Sequence, residues 1–150
     1  MRILFDTNVL VRLAEVAHPH HQIARAAVDR IEDNDHEPCV VPQIAYEYWV
    51  VVTRPVSENG LGLAPVEADR AIDSWKGLFT MLLDERGVYS TWRDLVRQTG
   101  VIGKRAHDAR IVAAMQRHGL THLLTFNLQH FKPFGAIQLL DPAAVAQTGI

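Results

Sequence analysis

The chain is predicted to fold as an α/β domain in which helices flank a central parallel sheet of four to five strands. Two observations carry this. Short apolar runs alternate with longer stretches of helical period, the order that parallel strands joined by crossover helices require. In addition, Asp6, Glu47 and Asp108, far apart in sequence, fall at positions from which such a fold gathers residues at one end of its sheet.

The elements follow in order. Ile3 to Phe5 reads as the first strand and Val9 to Glu15 as a short helix. A second helix is expected from His18-Pro19 onward, with Ile23, Ala27 and Ile31 four apart on one face, ending in the acidic turn Glu32-Asp33-Asn34-Asp35. Pro38 to Val41 is the next strand. Pro42 then starts a helix, where a missing backbone donor costs little, and Arg54-Pro55 ends it. Residues 57–62 read as a surface loop. After Pro65, a helical stripe of Ala68, Ile72, Trp75 and Phe79 leads to a short strand near Met81 to Leu83. Val88, Trp92, Leu95 and Val96 mark another amphipathic helix. From about Lys104, Ile111, Ala114, Met115 and His118 share a face, stopped by Gly119. Leu123 to Phe126 and Ala136 to Leu140 are the last strands.

A length of 150 residues with 48% hydrophobic content supports one well-buried core, so residues 1–150 are read as a single domain. A charged fraction of 21% and a net charge of -2 argue against disorder and against a globally basic surface, so any nucleic acid must be gripped locally. Met1 to Phe5 runs straight into an acid, unlike a signal peptide, and no apolar run approaches the roughly 20 residues of a membrane span. The lone Cys39 lies in an apolar run and reads as a small hydrophobe. The cytoplasm is the expected compartment, with no membrane partner.

Ligands of open parallel sheets bind beyond the carboxyl ends of the strands. Asp6 and Asn127 each follow a strand and should border that crevice. Glu47 shares the spacing of Ile44, Tyr48 and Val51 on an apolar helical face, and a carboxylate turned inward there needs a cation or a cluster of donors. Gathered carboxylates repel, and a hard divalent cation between them relieves the repulsion. Asp108 is the exception to easy convergence: the crossover rule is expected to put the start of its helix at the opposite edge, unless the chain before Lys104 crosses the sheet.

Four segments, DTNVL from Asp6, PQIAYEYWVVVTRP from Pro42, HDARIVAAM from His107 and LLTFNLQHF from Leu123, resemble in order and spacing the PIN-domain ribonucleases, and more narrowly the VapC-type toxins of prokaryotic toxin-antitoxin pairs. The resemblance implies a PIN-like domain in which Asp6, Glu47 and Asp108 hold Mg2+ or Mn2+ and hydrolyse RNA phosphodiesters. It also implies an antitoxin partner and a homodimer, and it brings Asp108 to the site by analogy. The family's fourth acid is commonly found where this chain has Asn127, and another acid is often found at His130. An amide brings no charge, so one tightly held metal is expected, with Asn127 at most a neutral ligand.

Thr7 and Asn8 are expected to orient Asp6 or to meet a phosphate, and Thr125 to contact substrate. Within residues 101–118, Lys104, Arg105, Arg110 and Arg117 stand against the single acid Asp108, four minus one, an excess of three positive charges suited to a phosphate backbone. Plainer readings stand beside these. Asp6 and Asp108 occupy positions natural to helix caps, Glu47 has Arg54 as an alternative partner, the basic residues suit a solvated helix face, and His18-Pro19-His20-His21 reads as a solvated turn rather than a zinc site. Trp49, Trp75 and Trp92 belong to core or dimer packing. The missing fourth acid also keeps open a non-catalytic PIN-like module binding RNA or protein. A receiver or dehalogenase-type phosphoryl-transfer domain fits poorly, because Asn8 stands where the latter needs a second aspartate.

Overall fold

The computed structural model describes residues 1–150. Five strands, β1 (Arg2–Phe5), β2 (Glu37–Val40), β3 (Thr80–Met81), β4 (His122–Leu124) and β5 (Gln138–Leu140), form one sheet in the order β3-β2-β1-β4-β5. Every pairing is parallel. The central strands are buried on both faces, which is why Ile3, Leu4 and Phe5 form an unbroken apolar run with no exposed surface.

Eight helices complete the domain: α1 (Thr7–Ala14), α2 (His21–Asp33), α3 (Pro42–Thr53), α4 (Pro65–Asp73), α5 (Val88–Thr99), α6 (Arg105–His118), α7 (Leu128–Phe131) and α8 (Pro142–Thr148). α1 packs on α2 and α3, α8 on α2, and α5 on α6. The expected inward face of α2 is confirmed by buried Ala27 and Ile31, and Gly100 and Gly119 end α5 and α6 with φ of 66° each. Tyr48 and Trp75, with ring centroids 4.8 Å apart, and Phe5 and Phe79, at 5.2 Å, seal the core in edge-to-face contacts. Cys39 is buried among these groups, and burial pushes its thiol up to about 11.

Several expected boundaries move. α2 begins at His21, leaving His18-Pro19 in a turn, and β3 is Thr80–Met81 rather than 81–83. β4 ends at Leu124, and β5 starts at Gln138 rather than Ala136. α8 was not anticipated, although Asp141 caps it by accepting from the Ala143 N–H at 3.0 Å and Pro142 occupies its first position.

The topology places the site. From β1 the chain steps to β2 and β3 on one side, then returns past β1 to build β4 and β5 on the other. The order therefore reverses between β1 and β4, where loops leaving the two strands diverge and open a crevice at their carboxyl ends. The expectation that α6 would start at the opposite edge is overturned. α6 leads into β4, so it returns the chain from the carboxyl edge to the amino edge, and its first turn, carrying Asp108, lies beside the strand ends.

Candidate active site

Asp6 is the residue after β1 and the N-cap of α1. Its Oδ1 accepts from the Thr7 backbone N–H at 2.7 Å, so the cap reading is correct. Capping is only part of its environment. Oδ2 accepts from Asn8 Nδ2 and from Thr125 Oγ1, each at 2.6 Å, and only 6% of the residue is exposed. Burial, together with repulsion from Glu47 and Asp108, pushes its carboxyl up to about 6, against the opposing hydrogen bonds from Thr125 and Thr7.

Glu47 faces inward from the first half of α3, as its spacing predicted. It does not pair with Arg54. Oε2 accepts from Thr7 Oγ1 at 2.8 Å and Oε1 from Gln43 Nε2 at 2.7 Å. Thr7 thus ties Asp6 to Glu47, one through its backbone and the other through its hydroxyl.

Asp108 is the fourth residue of α6 and not its cap, which is Lys104. Its Oδ2 lies 2.8 Å from an Arg105 guanidinium nitrogen, yet the pair is misaligned for a hydrogen bond, so both buried atoms lack a hydrogen-bond partner. Burial raises its carboxyl above the ordinary range, with Arg105 and His130 opposing.

These acids share one cleft of about 280 Å³, which Asn127 and His130 also line. A larger groove of about 660 Å³ continues from it, bordered by Lys104, Arg105 and Arg110 with Glu47 and Asp108. The donors suit a hard divalent cation: three carboxylates, all oxygen ligands, with one buried carboxylate oxygen lacking a hydrogen bond. They are not closed into a finished ligand set, since no three acidic, histidine or cysteine side chains stand at mutual metal-holding spacing. Glu47 and Asp108 each repel the Asp6 carboxylate, and Arg105 lies against Asp108.

Asn8 orients Asp6, one of the two roles expected of it, and also accepts from the Phe126 N–H at 3.1 Å. Thr125 is corrected: it is 0% exposed, so it meets Asp6 rather than substrate. The basic cluster divides, with Lys104, Arg105 and Arg110 on the groove and Arg117 away from it. Arg117 turns away to Glu85 at 2.9 Å, Arg110 reaches Asp84 at 3.0 Å and Arg105 pairs with Asp108, leaving Lys104 as the cluster's one arginine or lysine outside an ion pair. His20 stacks on Phe126 with centroids 4.8 Å apart, and Trp92 donates to the Ala106 carbonyl at 2.8 Å. Trp75 is buried, whereas Trp49 is 37% exposed.

Sequence reasoning missed Gln43 and Arg12. Arg12 lines the smaller cleft while paired with Glu15 at 2.6 Å. Gln43 donates to Glu47 and to the His107 carbonyl at 2.9 Å, and accepts from Arg110 at 3.0 Å. The available signal was a second polar residue four positions before Glu47, on the same face of an apolar helix.

The family model of the PIN domain matches residues 3–134. Ribonuclease VapC48 of Mycobacterium tuberculosis is 27% identical over 140 residues, covering 92% of this chain and 95% of that protein. Among solved structures, VapBC2 from Rickettsia felis bound to a promoter DNA fragment aligns with a TM-score of 0.69 at 15% identity, covering 93% of this chain and 98% of the other. DNA-bound VapBC from Salmonella typhimurium aligns at 0.68 and 16%, covering 95% and 98%. With the matched segment running from β1 past α7, over most of its length, this chain belongs to the PIN domain family.

Proposed function

We propose that this chain is a metal-dependent endoribonuclease that hydrolyses RNA phosphodiester bonds and acts as the toxin of a type II toxin-antitoxin pair. The observation that carries the chemistry is that Asp6, Glu47 and Asp108 line a single cleft at the point where the strand order reverses. Similarity to a protein named as a ribonuclease supports the substrate class, and fold similarity to VapBC assemblies supports an antitoxin partner. No helix is long and apolar enough to cross a membrane, which accords with a cytoplasmic site of action. A homodimer is part of the same reading, with exposed Tyr46, Trp49 and Val50 on α3 offering apolar surface.

In this reading the three carboxylates hold Mg2+ or Mn2+, and Thr7 and Asn8 fix the orientation of Glu47 and Asp6. A divalent ion bound there supplies charge to offset that of the scissile phosphate and promotes ionisation of the attacking water. Arg105 lies against Asp108 and lines the same cleft, from which its guanidinium would meet a phosphate of the substrate. Lys104 and Arg110 border the adjoining groove, where the RNA backbone would lie.

Purified protein incubated with structured RNA should cleave it with Mg2+ or Mn2+ and leave it intact with chelator. RNA binding without cleavage under every metal condition would favour the non-catalytic module, the reading suggested by Asn127 at the fourth-acid position. Asn127 is exposed at the cleft. Asn127→Asp is therefore expected to tighten Mn2+ binding at least about fivefold, the effect of roughly 1 kcal/mol from one added charge near the ion. An unchanged Mn2+ titration would remove Asn127 from the site.

A further inference from the structure

We propose that Gln43 is a positioning residue that sets the Glu47 carboxylate against helix α6, and that Arg110 selects the orientation of its amide. The inference rests on the metal-binding reading of Glu47 above.

Gln43 is 5% exposed, and both ends of its amide are used. One nitrogen serves Glu47 Oε1 at 2.7 Å and the His107 carbonyl at 2.9 Å, while the oxygen accepts from Arg110 at 3.0 Å. Reversing the amide would set its oxygen against a carboxylate and a carbonyl and its NH2 against a guanidinium, three contacts of like polarity. Only one orientation is satisfied. Arg110 is itself anchored on Asp84 at 3.0 Å, so the selecting group is held from the segment that follows β3.

The consequence concerns two carboxylates carried by different helices. Glu47 stands on α3 and Asp108 on α6, and the His107 carbonyl that Gln43 grips belongs to the residue preceding Asp108. One amide therefore links the backbone beside one acid to the side chain of the other. Thr7 holds the second oxygen of Glu47, so the carboxylate is fixed at both oxygens before any ion arrives. Partners outside the ligand set that orient a ligand commonly govern metal affinity as strongly as this.

The test is Mn2+ binding to the full chain, read as free Mn2+ by electron paramagnetic resonance, with thermal unfolding recorded without metal. Glu47→Gln serves as the reference for loss of the ligand itself. Gln43→Met keeps length and volume while removing both donors, and is expected to weaken Mn2+ binding by about tenfold with cooperative unfolding retained. Arg110→Gln and Lys104→Gln each remove one positive charge from the same groove. Simple electrostatics tightens a cation in both; the positioning role predicts tightening for Lys104→Gln and weakening for Arg110→Gln.

Equal Mn2+ affinity in Gln43→Met and the unaltered chain overturns the inference. So does tightening in Arg110→Gln, which decides the matter if Gln43→Met does not fold. Mn2+ binding that survives Glu47→Gln undiminished overturns the ligand role of Glu47 and this inference with it. A loss in Glu47→Gln without one in Gln43→Met removes Gln43 alone.

Discussion

Asp6→Asn is expected to abolish metal-dependent RNA cleavage while making the metal-free protein more stable at neutral pH. The two effects have one origin. Asp6 is almost fully buried, and its carboxyl is raised from 3.8 to about 6 by burial first and by Glu47 and Asp108 next. A raised carboxyl binds its proton more tightly folded than unfolded, so between about pH 4 and pH 6 the native state holds more protons and stability falls as pH rises. Above pH 6 the full penalty is present, about 3 kcal/mol for a shift of some two units. Asparagine removes the charge and caps a helix about as well as aspartate, so the Thr7 N–H keeps its acceptor. Its NH2, however, would face the Asn8 and Thr125 donors now bonded to Oδ2, returning about 2 kcal/mol of the gain.

The net expectation is stabilisation of about 1 kcal/mol at pH 7, reversing to destabilisation near pH 4 where the lost hydrogen bonds are no longer offset, by denaturant titration in chelator. Cleavage in Mg2+ should fall to background, because the variant cannot supply the anionic ligand. Retained cleavage would sink the role of Asp6. Loss of cleavage with destabilisation at every pH would instead mark Asp6 as a structural cap.

Much of this arrangement was legible before any coordinates. Short apolar runs bounded by turn residues mark the central parallel strands to within a few residues, and a carboxylate on the stripe of Ile44, Tyr48 and Val51 is directed inward by its spacing. Other parts depended on facts a linear reading does not hold. β3 is two residues long at a sheet edge, so no alternation reveals it. α8 has Asp141 and Pro142 as start signals, but its seven residues include only two buried positions, Pro142 and Val145. The placement of Asp108 failed on direction rather than on pattern. A helix entering a parallel strand begins at the carboxyl edge, whatever the residues in it. For the basic cluster the sequence shows less than the structure: charge counting along residues 101–118 cannot see Glu85 and Asp84 arriving from the segment after β3 to take up Arg117 and Arg110. The sequence marks Thr125 by its place after β4, but only the packed structure separates a threonine facing substrate from one facing the acid.

That distinction makes Thr125→Val the second large effect. The hydroxyl donates to Asp6 Oδ2 at 2.6 Å and accepts from the Asn127 N–H at 3.0 Å and from Asn8 Nδ2 at 3.1 Å, with no access to solvent. Valine matches its shape and removes all three interactions. Of the groups that hold down the Asp6 carboxyl, the Thr125 hydrogen bond is the largest. A hydrogen bond to a charged group contributes about 1.5 to 3 kcal/mol, so its loss should push the Asp6 carboxyl up by a further unit or more. Proton and metal compete for that carboxylate, and metal binding weakens as pH falls below its pKa. Cleavage at pH 7 and limiting Mg2+ should therefore drop by roughly two- to tenfold and recover on raising pH or metal concentration, with the rising limb of the pH profile displaced to higher pH. A substrate contact would behave otherwise: KM for RNA would rise, and the pH profile would keep its midpoint. A variant whose profile is lowered uniformly, without displacement, would show that Thr125 acts on something other than the ionisation of Asp6.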